Sequence, residues 1–184
     1  LQFFSDWEII AVDGGRRAGQ WMIPVERIDD ALASVSSEQA AALSAMMARA
    51  TTQRAPLVLG DRTIRLDQPQ IMGILNITPD SFSGGSEHID DPASAASLGV
   101  EMAAAGAAII DVGGESTRPG AATVWEEDEK ARVLPVISRL AASGTAISLD
   151  SRKAAVMEAG LAAGAHMIND VSALLFDDRA LQVV

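Results

Sequence analysis

The stretch Ile71-Met-Gly-Ile-Leu-Asn-Ile-Thr-Pro-Asp-Ser-Phe82 decides the fold. A short apolar run breaks off into Asn76, Thr78, Asp80 and Ser81. Such a run reads as a buried strand whose C-terminal tip opens into a polar loop. The pattern recurs three times, in Ala108-Ile-Ile-Asp-Val-Gly-Gly-Glu-Ser-Thr-Arg-Pro-Gly120, Ile147-Ser-Leu-Asp150 and Met167-Ile-Asn-Asp170. Polar side chains at the carboxyl ends of parallel strands are where α/β proteins gather chemistry. Four strands with four polar tips favour a barrel over an open sheet, which would collect its polar groups at one switch point.

Helical patterns separate the strands. Asp90 or Asp91 can cap a helix with Pro92 in its first turn, and Gly106 fits its stop. Thr123 and Glu126 make a capping-box signature for the next helix, whose acidic first turn suits the helix dipole. Pro135 is expected to interrupt and kink that helix. Ser151 can cap a third helix and Gly164 can end it. Asp177 to Val184 reads as the start of a fourth. Strand–helix–strand with right-handed crossovers yields a parallel sheet.

Ahead of this lies different material. Trp7 to Gly14 reads as a strand and turn, and Ser36 to Arg49 as an amphipathic helix with Ser36 and Gln39 as its capping box. Ala50 to Pro56 reads as a linker. Leu57 to Leu66 reads as a hairpin around Gly60-Asp61. The expected organisation is therefore an N-terminal α+β extension over 1–55, of unknown role, followed by an α/β domain over 56–184.

Composition narrows the function classes. Of 184 residues, 48% are hydrophobic, enough for a sizeable core. A formal net charge of −11 argues against a nucleic-acid or anionic-membrane surface. Cysteine is absent, which rules out disulfides and thiol chemistry. No apolar run is long enough to span a bilayer and no signal peptide is visible, so the expected location is cytoplasmic.

Four motifs, in order, carry a family resemblance: Leu75-Asn-Ile-Thr-Pro-Asp-Ser-Phe82, Asp111-Val-Gly-Gly-Glu-Ser-Thr-Arg-Pro-Gly-Ala121, Ser148-Leu-Asp-Ser151 and Ile168-Asn-Asp170. Together they resemble the dihydropteroate synthases, over about Ile71 to Val184. The resemblance implies a (β/α)8 TIM barrel and transfer of a dihydropterin methyl group from diphosphate to p-aminobenzoate, with Mg2+ as cofactor. It implies small-molecule partners and a homodimer at full length. The hairpin would cover the closed bottom of the barrel.

The same resemblance distributes roles that the chemistry of the residues suits. Asn76 offers a hard neutral oxygen, and is implied as the Mg2+ ligand; taken alone it reads better as a turn former. Asp150 and Asn169 can accept from and donate to the edge of a pterin, and are implied as pterin-binding; each could otherwise cap a helix. Asp111 is open between support and contact. Asp170, pointing to the opposite face by alternation, reads as structural. In the glycine-rich loop, Thr117 is implied on the diphosphate, and Thr117, Arg118, Pro119 and Phe82 around p-aminobenzoate. Asp80 is implied to stabilise the methylene cation or the metal's water shell. His88 and His166 receive no role.

Two features depart from the family. After Ser83 the family usually continues Asp-Gly-Gly, where this chain has Gly84-Gly85-Ser86. An eight-stranded barrel takes about 250 residues, whereas four strands and the start of a fourth helix are counted here. The expected reading is thus the front half of an enzyme, inactive as a fragment. Other classes are a pterin-dependent corrinoid methyltransferase, against which the Glu115 to Gly120 loop argues, and a non-catalytic binding module.

Overall fold

The computed structural model describes residues 4–78, 91–116 and 120–184. The chain divides into two compact units, Leu1–Arg54 and Ala55–Val184.

In the first unit, β1 (Asp6–Asp13) pairs antiparallel with β2 (Arg16–Pro24). Gly14 and Gly15 form the two-residue turn with φ of 54° and 77°. Two consecutive positive φ values match the twist of the hairpin and explain the glycines. Sequence reading anticipated β1 and the turn but not β2. A 3-10 turn (Val25–Arg27) leads into α1 (Ile28–Ala33) and then α2 (Ser37–Thr51). The capping box is present: Gln39 N donates to Ser36 Oγ at 3.2 Å and Ser36 N to Gln39 Oε1 at 3.1 Å. Ala40, Leu43 and Met47 are the half-buried stripe of α2.

The second unit opens with the hairpin β3 (Leu57–Leu59) and β4 (Arg62–Ile64) around Gly60 and Asp61. The strands β5 (Met72–Asn76), β6 (Ile109–Gly113), β7 (Ile147–Asp150) and β8 (Met167–Asn169) follow. They form one parallel sheet in the order β5-β6-β7-β8. The connecting helices are α3 (Pro92–Ala104), α4 (Glu126–Ala142) and α5 (Ala154–Ala162), with α6 (Ala180–Val183) after β8. These are consecutive βα units, a partial (β/α)8 barrel.

One face of the sheet makes the core. Leu75, Ile110, Val112, Ile147 and Leu149 pack against Ala95 and Ala96 of α3, Val133, Val136, Ile137 and Leu140 of α4, and Val156 of α5. Burying each of the larger aliphatic side chains is worth about 1.5–3 kcal/mol. Gly160 and Gly99 set the helix distances: a Cβ at Gly160 would lie 2.2 Å from Leu149, and one at Gly99 2.9 Å from Leu140. A second, smaller cluster joins Leu59 and Ile64 of the hairpin to Ile109 and Ala146, with Ala108 and Met167 alongside. These are the N-terminal ends of the strands, so the hairpin covers the end of the sheet opposite the polar tips. Arg62 Nε donates to Gly144 O at 2.8 Å, and Ile147 N to His166 Nδ1 at 3.2 Å, fixing the same end.

The helix starts differ in part from expectation. Asp91 caps α3, its Oδ1 accepting from Ala93 N at 2.7 Å and Ser94 N at 3.1 Å, with Pro92 in the first turn. The Thr123–Glu126 capping box does not form. Trp125 is the cap residue of α4 and makes no side-chain cap. Glu115 supplies the acceptor instead, taking Val124 N–H at 2.9 Å. The helix passes through Pro135 to Ala142 rather than being interrupted there. Ser151 is not the cap of α5 either. That helix begins three residues later, and Asp177 caps it from a distance, accepting Ala154 N–H at 2.9 Å. The last helix accordingly starts at Ala180 rather than at Asp177.

Candidate functional site

The strand register assembles the site. Asn76 pairs with Gly113, Gly113 with Asp150, and Asp150 with Asn169. The four tips therefore lie on one level across the sheet. Alternation puts them on the face opposite the helix-packed core. Gly113 keeps the middle of this row open: a Cβ there would lie 3.2 Å from Asn76 Oδ1 and 3.5 Å from Asp150 Oδ2. Gly114 is glycine for another reason. A Cβ would meet Val133 at 2.8 Å and Glu129 Cγ at 3.0 Å, so the chain could not pass so close to α4.

One level below lie Asp111 and Ser148, paired in register. Both are buried, and Asp111 Oδ1 and Ser148 Oγ make no hydrogen bond within the described residues. Asp111 Oδ2 accepts from Asn169 Nδ2 at 3.0 Å. This bond fixes the Asn169 amide so that its carbonyl oxygen is left for another donor. Asp111 thus acts through Asn169.

Asp150 carries the site's electrostatic signature. Burial, then the charges of Asp111, Glu129, Asp170 and Glu115, push its carboxyl up to about 6. Among the described residues no cation compensates this carboxylate, so it has a strong demand for N–H donors.

Behind the rim runs an ion network that sequence reading missed. Glu115, at the tip of β6, accepts from Arg152 Nε at 3.1 Å and Arg152 Nη2 at 3.3 Å. Lys153 Nζ lies 3.0 Å from Glu115 Oε2 and 2.5 Å from Glu129 Oε2. Burial opposes ionisation of Glu115, but the Val124 N–H, Arg152 and Lys153 together hold its carboxyl below the usual range. Arg152 also stacks on Phe176, 4.1 Å from the ring centroid. Residues 24 to 38 positions apart meet here, and no local spacing announces them. Asp170 is structural, as expected. It accepts from Ser172 N, Ser172 Oγ and Leu174 N, each at 2.8 Å, and holds Ala173 and Leu174 at φ of 54° and 64°.

The structure thus brings Asn76, Asp150 and Asn169 together. Asp80, Phe82, Thr117, Arg118 and Pro119 lie outside the described residues. Among the described residues, no group of three or more His, Cys, Asp or Glu could hold a metal ion. No helix among them is long and apolar enough to cross a membrane.

Comparison with known proteins follows the same residues. The family model of pterin binding enzymes matches 72–184. The chain belongs to this family. Within it the chain is similar to dihydropteroate synthases. That of Neisseria meningitidis serogroup C is 47% identical over 122 residues, covering 66% of this chain and 43% of the relative. The Xanthomonas albilineans enzyme, solved with 4-aminobenzoic acid, superposes with a TM-score of 0.64 and 48% identity, over 71% of this chain and 48% of that one. The Burkholderia cenocepacia enzyme, complexed with 7,8-dihydropteroate, gives a TM-score of 0.60 and 39% identity, over 73% and 44%. The chain spans less than half the length of these relatives.

Proposed function

We propose that this chain carries the pterin-facing part of a dihydropteroate synthase, which joins p-aminobenzoate to a dihydropterin methyl diphosphate and releases diphosphate. The observation that carries the reading is the level row Asn76–Gly113–Asp150–Asn169 with Asp111 behind Asn169. A pterin edge is a line of ring N–H, amino and carbonyl groups. Asp150 accepts paired N–H bonds, and Asn169, its NH2 taken by Asp111, accepts a further one. Gly113 lets the side chains of Asn76 and Asp150 close in over the strand, since a Cβ there would lie 3.2 Å from Asn76 Oδ1.

Asn76 is the residue that would hold Mg2+. It fits a magnesium ion carried in on substrate phosphates, because it gives one hard neutral oxygen on an exposed rim. When bound, the ion neutralises charge on the departing diphosphate. By the family reading, Thr117 assists the same anion, Asp80 stabilises the methylene cation, and Phe82, Thr117, Arg118 and Pro119 line the arylamine site. The carbon–oxygen bond breaks with its electron pair leaving on diphosphate, the amine nitrogen then attacks the methylene cation, and the amine loses a proton. No protein nucleophile is needed. The corrinoid methyltransferase reading has less support, since the named relatives are synthases.

Calorimetry tests the assignment. Asp150→Ala is expected to abolish pterin binding, and Asn76→Ala to remove the Mg2+ enhancement of diphosphate binding while pterin binding survives. Intact pterin binding in Asp150→Ala would contradict the reading.

A further inference from the structure

We propose that Glu115 is a positioning residue: it ties the described ends of the β6–α4 connection, residues 114–116 and 120–125, together and locks them to the start of α5, so that these ends are preset for the second substrate. The inference rests on the synthase reading for which substrate is affected, but the clamp itself rests on geometry alone.

Glu115 is buried, and every acceptor position of its carboxylate is used. Oε1 takes the Val124 N–H at 2.9 Å, nine residues along the chain, which closes a chord from the first turn of the loop to its last. The same oxygen takes Arg152 Nη2, and Oε2 takes Arg152 Nε and Lys153 Nζ. Arg132 Nη1 adds a bond to Gly114 O at 2.9 Å, immediately before Glu115. The loop is thus held at its entry by α4, at its exit by Glu115, and laterally by the segment after β7.

The charges close on themselves. Glu115 and Glu129 bring two negative charges, and Arg152 and Lys153 two positive ones. Lys153 is 6% exposed at its side chain and touches both carboxylates, so it is committed to the network and is not a free cation for a phosphate. Arg152 is further held by the face of Phe176. Neither cation faces Asp150 as a partner, which agrees with the upward displacement of that carboxyl. Replacing Glu115 by a side chain with no acceptor would release the chord and leave a surplus positive charge beside the rim.

The test uses Glu115→Leu, which removes every acceptor of the clamp, in the protein expressed from its intact gene. The expected result is a KM for p-aminobenzoate raised by about tenfold or more, with pterin affinity by calorimetry within about threefold of the parent. Amide exchange over residues 120–125 should quicken by about tenfold or more. Equal loss towards both substrates would overturn the proposal, as would unchanged KM whatever the exchange does. If the parent itself shows no synthase turnover, the functional reading fails, and exchange alone then judges the clamp: unchanged rates overturn it. Should Glu115→Leu not fold, Val124→Pro removes the N–H of the chord and leaves Glu115 paired with Arg152 and Lys153, and the same outcomes decide.

Discussion

Asp150 is the residue on which the site turns. Its carboxyl, raised to about 6 by burial and neighbouring acids, has lost some of its tendency to ionise. A donor edge that binds the carboxylate must favour the ionised form. Affinity for a pterin is then full above that value and falls as pH drops through it. Below pH 6, the value to which Asp150 is raised, the dissociation constant should rise about tenfold per unit. Calorimetry between pH 5 and 8 would show this, and Asp150→Asn should bind weakly with a flat profile. A second residue-scale prediction concerns Lys153. Lys153→Met leaves Glu129 buried with no cation, which should cost about 3–5 kcal/mol in denaturant titration. Adding Glu129→Leu removes the orphaned charge and should recover much of the loss.

Elements show how far local sequence reaches. Asp91-Pro92 before an apolar period specified the start of α3, and Asp91 caps it as its chemistry requires. Asn76, Asp150 and Asn169 were legible because each ends a short apolar run, and the level row follows from strand register. The caps of α4 and α5 were not legible. Thr123 and Ser151 have the right side chains, but Glu115 takes the Val124 N–H and Asp177 the Ala154 N–H, from nine and 23 residues away. Local capping rules cannot see an acceptor brought in by the tertiary fold. β2 was missed although Asp13-Gly14-Gly15 gave the turn, because its residues alternate weakly between apolar and polar. Asp177 supplies the element-scale prediction. Asp177→Ala should lower the thermal midpoint by a few degrees and speed exchange at Ala154 and at Arg179, whose N–H it also accepts. Ser151→Ala should leave the first amides of α5 unchanged.

At the scale of the molecule, the sheet has a helix-packed face and a rim-bearing face, and the hairpin covers only the end opposite the rim. Ile74, beneath Asn76 on the rim-bearing face, is 63% exposed. The row of polar tips is thus one wall of a site, and the chain matches only 43% of the length of its Neisseria meningitidis relative. Residues 1–184 alone are therefore predicted to give no turnover. The central claim is that this wall binds the pterin of a synthase reaction. The most direct measurement is diphosphate release from dihydropterin methyl diphosphate with p-aminobenzoate, using the protein expressed from its intact gene. The account predicts release that requires both substrates and falls by about a hundredfold or more in Asp150→Ala, as expected for a lost charged acceptor. No release from the parent, or undiminished release from Asp150→Ala, would contradict it.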